Sequence, residues 1–95
     1  VLQNVKTNEE TELSADAIFI FTGMIPQTAL VEMLPKDEGG YILTNEQMQT
    51  VIPRLYAAGD VRSKSFRQVV TATSDGAIAA HSAKEFVDSV KDGKK

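Results

Sequence analysis

The sequence has no cysteine, no tryptophan, one histidine and three prolines among its 95 residues. Without cysteine, disulfides, thiolate metal sites and a cysteine nucleophile are excluded within this chain. His81 alone cannot build a histidine pair or a His-rich metal site. The longest apolar run, Ala17 to Phe21, falls far short of the ~20 residues that span a bilayer, so no membrane segment is expected. An excess of basic residues is missing too. Thirteen acidic residues face ten basic ones, for a net charge of −3, which argues against a nucleic-acid binder held by phosphate contacts. No charged-then-apolar leader opens the sequence, and the absence of an initiator Met before Val1 leads us to expect a fragment.

What is present fits one small packed domain. The chain is 42% hydrophobic and 24% charged, a balance that favours a core over disorder. Residues 1–14 read as a polar hairpin, with Lys6-Thr7-Asn8-Glu9-Glu10 as the turn. Ala17-Ile18-Phe19-Ile20-Phe21 is continuously apolar and stops at Gly23, the pattern of a short strand buried on both faces of a parallel sheet. A helical turn is expected within 27–36, with Ala29, Leu30, Met33 and Leu34 on one side, and Gly39-Gly40 marks a turn. Tyr41-Ile42-Leu43 and Leu55-Tyr56-Ala57-Ala58 are further strand candidates.

The last element is a long helix. Ser65-Phe66-Arg67-Gln68 fits a capping box. From there Val69, Ala72, Gly76, Ala79, Ala80, Ala83, Phe86, Val87 and Val90 recur at helical spacing, with a small-residue stripe through Ala72, Gly76, Ala79, Ala80 and Ala83. Lys91, Lys94 and Lys95 suit a helix C-terminus, and Gly93 can serve as its left-handed stop. The fold class is therefore α/β. Two buried strands and one helix are too few for a complete doubly wound sheet, so either self-association through the uncovered apolar surface or a partly rearranged packing is expected of the isolated chain.

Three local patterns carry chemistry. Gly23-Met24-Ile25-Pro26-Gln27-Thr28 is a strand exit, ordinary when taken alone. Ala57-Ala58-Gly59-Asp60 places a carboxylate at a strand's C-terminal end, where α/β sheets hold ligands and where Asp can accept from sugar-like hydroxyls. Gly-Asp is also a common turn. Arg67-Gln68-Val69 opens the helix, whose free N–H groups and partial positive charge suit an electron-rich ligand edge. An ordinary capped amphipathic helix would look the same.

Taken in order, these patterns resemble the C-terminal part of low-molecular-weight bacterial thioredoxin reductases. That family has Gly-x-x-Pro-x-Thr (here Gly23 to Thr28), then Ala-Ala-Gly-Asp (Ala57 to Asp60), then an Arg-Gln helix start with a Thr-Ala and Asp-Gly pattern (Arg67 to Gly76). The run from Gly59 to Thr73 is similar to the version in Gram-positive bacteria. The resemblance covers about residues 1–90. It implies a partial FAD/NAD(P)-binding, Rossmann-like fold, with residues 1–14 as the tail of an NADPH-binding domain and 15–95 as the C-terminal part of the FAD-binding domain. It further implies that Asp60 bonds a ribityl hydroxyl of FAD, and that Gly59, Arg67, Gln68 and Val69 line the cofactor site. The parent would use FAD and NADPH and would reduce thioredoxin in the cytoplasm.

One departure is Ser74, where the family usually has Gly. The family's Gly-x-Gly-x-x-Gly turn and Cys-x-x-Cys pair are both absent from this chain, so no catalytic residue is assigned and the chain alone is expected to be inactive. The related flavoprotein subunit of alkyl hydroperoxide reductase, ferredoxin–NADP reductase, and a stand-alone structural or interaction module remain open alternatives.

Overall fold

The computed structural model describes residues 1–93. Lys94 and Lys95, assigned above to the helix C-terminus, lie outside the described residues. A hairpin comes first. β1 (Leu2–Gln3) pairs antiparallel with β2 (Glu10–Thr11), in the register Leu2 to Thr11 and Gln3 to Glu10. The Asn4 side chain organises the loop by accepting the Lys6 N–H at 2.9 Å, and Asn8 turns the chain at φ 63°. Asn tolerates that left-handed geometry because its short polar side chain bonds locally.

The expected buried strand is not formed. Ile18, Phe19, Ile20 and Phe21 are 82–87% exposed and belong to no strand. A strand needs hydrogen-bonding neighbours, and a doubly buried one also needs cover on both faces. Among the described residues none pairs with this segment. The chain is accordingly extended, with a radius of gyration of 19.9 Å and extents of 68 × 28 × 21 Å. A compact domain of this length would have a radius near ~12 Å.

Residues from Val31 onward form the packed body. A 3-10 turn at Ala29–Val31 delivers Leu34 to the core, but Leu30 and Met33 are exposed, so the expected common apolar side divides. Leu34, Ile42 and Ala57 form the buried centre, with Val31, Ile52, Leu55 and Val61 packed against it. The two remaining strand candidates shrink to single bridging residues. Ile42 bridges Lys36 antiparallel and Arg62 in parallel, and Tyr56 bridges Gln49. With so few neighbours the ladders do not propagate, and the sheet of the expected α/β fold is represented among the described residues only by the hairpin and these bridges.

α1 runs Val69–Lys91. Its interior has no proline and is rich in alanine, the best helix former. The N-cap is Gln68, whose N–H donates to the Thr71 hydroxyl at 3.0 Å, so the capping pair is Gln68 with Thr71 and not Ser65 with Gln68. Arg67 explains the shift, because its guanidinium is tied to the carbonyls of Asp60 and Arg62 and keeps residues 65–67 out of the helix. The helix ends at Asp92, and Gly93 adopts the expected left-handed conformation at φ 72°.

The face of α1 turned to the body is Ala72, Asp75, Ala79, Ser82, Phe86 and Ser89, at alternating spacings of three and four. Gly76 and Ala80 of the expected small stripe are exposed, as are Val69, Val70, Val87 and Val90. The helix thus packs through a partly polar seam and leaves an apolar face open. The Tyr56 hydroxyl reaches the Ser82 carbonyl at 3.5 Å.

Candidate functional site

The site is built where the Leu55–Ala58 segment meets the start of α1. Gly59 is buried and adopts φ +86°. A side chain there would be strained by the backbone, although the space beside Ala72 is ordinary contact distance at 3.8 Å. The chain then turns tightly, with the Arg62 N–H donating to the Gly59 carbonyl at 3.1 Å.

Asp75, nearly two turns into α1, ties this turn to the helix. Its Oδ2 accepts the Gly59 N–H at 3.1 Å, Arg62 Nη1 at 3.0 Å and Lys64 Nζ at 2.8 Å. Burial is the largest influence on its carboxyl and pushes the pKa up. Together the Lys64, Gly59 and Arg62 donors outweigh burial and hold it below the ordinary 3.8. Sequence reading missed this cluster. The Asp-Gly signal at 75–76 was available, but helical periodicity selects apolar residues and so passed over a buried Asp.

Arg67 does not point a free cation at a ligand. Its Nε donates to the Asp60 carbonyl and its Nη2 to the Arg62 carbonyl, each at 3.0 Å, and its guanidinium lies 3.5 Å over the centre of the Tyr41 ring. Tyr41 is held from below by Asp37, whose Oδ1 accepts the Tyr41 N–H at 2.9 Å while Oδ2 accepts the Ser63 hydroxyl at 2.6 Å. The Ser63 bond is the main reason that the Asp37 carboxyl stays below its usual range.

Two concavities flank Asp60. One, of about 550 Å³, is lined by Asp60, Arg67, Gln68, Val69, Ala72 and Thr73. The other is more apolar and is lined by Met24 to Gln27, Tyr41, Asp60 and Val61. Four of the five residues assigned from sequence thus share one concavity, and the fifth, Gly59, does not line it but is buried with its N–H on the Asp75 carboxylate. The Gly23–Thr28 loop also reaches Asp60, from the second concavity. Asp60 is exposed, and among the described residues no donor is bonded to its carboxylate. Ser74 is exposed on α1. A further concavity near Ile52, Tyr56 and Phe86 has no carboxylate in its lining.

An exposed acceptor, a helix start and small apolar walls can together take a polyhydroxylated chain joined to a flat ring edge. Among the described residues no group of three or more His, Asp or Glu could hold a metal ion, and no helix is long and apolar enough to cross a membrane.

The family model for pyridine nucleotide-disulphide oxidoreductases matches residues 1–76. A thioredoxin reductase of Treponema pallidum is 53% identical over 91 residues, covering 96% of this chain and 30% of that protein. One from Bacillus subtilis is 45% identical over 92 residues, covering 96% of this chain and 29% of that protein. The crystal structure of thioredoxin reductase from Streptococcus pyogenes superposes with a TM-score of 0.70 at 42% identity, over 92% of this chain and 29% of that chain. The chain therefore spans about 30% of the length of the curated relatives it matches.

Proposed function

The chain belongs to the pyridine nucleotide-disulphide oxidoreductase family, and from that footing we propose that it is the C-terminal part of the FAD-binding domain of an NADPH-dependent thioredoxin-disulfide reductase. Residues 1–14 then end the NADPH-binding domain, and 15–95 return to the FAD-binding domain. The parent works in the cytoplasm with thioredoxin as its protein substrate. Three facts support this reading. The relatives named above are thioredoxin reductases, this chain spans under a third of their length, and it contains no cysteine for a redox pair.

The single observation that carries the site is the meeting of Asp60 with the first turn of α1 in one concavity. The residues fit a flavin. The Asp60 carboxylate accepts from ribityl hydroxyls, and Gly59 lets the backbone turn beneath it. Gln68, Val69 and the helix start would hold the electron-rich edge of the isoalloxazine, since a helix N-terminus stabilises negative charge. Arg67 contributes as the clasp that holds this wall together. Bound FAD supplies the electron relay between nicotinamide and a disulfide. Alone, the chain holds one wall of that site and is inactive, because the phosphate-binding glycine turn that dominates dinucleotide recognition is not in it.

The test uses the complete parent protein, loaded with FAD. NADPH oxidation in the presence of thioredoxin or a chemical disulfide is the expected result. A flavin-loaded protein that leaves NADPH unconsumed with either acceptor would overturn the reading.

A further inference from the structure

We propose that Asp75 is a positioning residue of the flavin site, one that fixes the Gly59–Lys64 turn against α1 and through it aims Asp60 and Arg67. The inference rests on the reading of Asp60 as a flavin ligand. Asp75 is 6% exposed, and it does not line either concavity beside Asp60. One oxygen, Oδ2, collects the Gly59 N–H, the Arg62 guanidinium and the Lys64 ammonium at 2.8–3.1 Å. All three donors come from the single turn that carries Asp60.

A buried carboxylate bound to two cations is weak as a stabilising device, since desolvation offsets much of the attraction, and an apolar residue could pack such a seam as well. Its particular effect here is geometric. The turn's own carbonyls, at Asp60 and Arg62, are the two acceptors that hold Arg67 at 3.0 Å. Arg67 in turn closes one side of the concavity and stacks on Tyr41. Removing the charge of Asp75, as Asn does, leaves Arg62 and Lys64 facing each other without a shared anion, and leaves one neutral amide oxygen where a carboxylate took three donors. The turn then opens, and both supports of Arg67 move with it.

The experiment compares Asp75→Asn and Asp60→Ala in the parent reductase. It reads the FAD dissociation constant of the folded apoprotein, the visible-region circular dichroism of the bound flavin and the apoprotein melting temperature. Asp75→Asn is expected to raise the dissociation constant about tenfold and to change the flavin band, with far-ultraviolet circular dichroism retained. A lower melting temperature with an unchanged dissociation constant and flavin band would mean that Asp75 only stabilises the fold, and would overturn the inference. Asp60→Ala separates the two levels of argument. If it leaves FAD binding intact, the flavin reading itself fails. If it weakens binding while Asp75→Asn does not, only the role of Asp75 fails. Should Asp75→Asn not fold, Arg62→Gln is read in its place. It removes the guanidinium from the same oxygen, the same rise is expected, and an unchanged constant overturns the inference.

Discussion

The Arg67 guanidinium lies 3.5 Å above the Tyr41 ring while its N–H groups bond the carbonyls of Asp60 and Arg62. A planar cation stacked on a ring and forked onto two carbonyls is a geometry that lysine cannot reproduce. This pair clasps the Gly39–Tyr41 turn to the start of α1 and forms the shared wall between the two concavities beside Asp60.

Tyr41→Leu keeps the bulk but removes the ring face. A cation–π contact at a partly exposed position contributes about 0.5–1 kcal/mol. The parent apoprotein is expected to lose about that much stability in urea denaturation. Its FAD affinity should fall a few-fold as Arg67 loosens. A variant matching wild type in both measurements would show that the stacking contributes nothing.

Asp60→Ala removes the exposed carboxylate and nothing else from the concavity. Loss of one charge-assisted hydrogen bond costs roughly 1.5–3 kcal/mol, about tenfold to a hundredfold in affinity. FAD content after exhaustive dialysis of the parent variant measures this directly, and full retention would remove Asp60 from the site.

Gly59→Ala tests the backbone. The added methyl meets only ordinary contact with Ala72, so its cost comes from φ +86°. A non-glycine residue in that region costs about 1–2 kcal/mol. The denaturation midpoint of the apoprotein should shift accordingly, and no shift would mean that the turn adapts.

Acid should loosen the same region. The Asp75 and Asp37 carboxyls both sit below their ordinary 3.8 in the folded state. A depressed carboxyl stabilises the fold fully above its unfolded value, and that contribution is lost as pH falls through the folded value. Stability of the apoprotein is therefore expected to drop as pH falls past the ordinary carboxyl value of 3.8 and on through the lower folded values. In Asp75→Asn the drop should be shallower, and an identical pH profile would exclude Asp75 from the acid response.

The isolated chain is expected to bind FAD no better than millimolar and to elute as more than a monomer. Few of the contacts that must offset the entropy of association are present, and four consecutive large apolar residues are open to solvent. Flavin fluorescence titration and size-exclusion chromatography check both halves. Phe19→Lys should shift the elution toward monomer. A wild-type monomer with micromolar affinity for FAD would contradict both expectations.

Local chemistry made part of this structure legible. The hairpin followed from its turn residues, whereas the grouping of Asp60, Arg67, Gln68 and Val69 came from the family resemblance, since Gly-Asp and Arg-Gln taken alone read as an ordinary turn and an ordinary capped helix. Other features depend on contacts that are distant in the chain. Ser65 with Gln68 and Gln68 with Thr71 offer capping pairs at the same spacing, and only the anchoring of Arg67 decides between them. The seam of α1 runs through Asp75 and Ser82, polar residues that an apolar pattern cannot select. Ile18 to Phe21 have the composition of a buried strand, but burial is a property of partners, and no described residue supplies one.

That segment has a consequence beyond binding. Ala17 to Thr22 is six residues of high β-propensity with no charge and no proline, the signature of a steric zipper. Asp16 on one side and Gly23 and Pro26 on the other act as gatekeepers that confine the hazard to these six positions. Because Ile18 to Phe21 already stand open to solvent in this chain, the segment is itself a template for cross-β growth, and its lifetime at high concentration is set by how quickly a partner covers it.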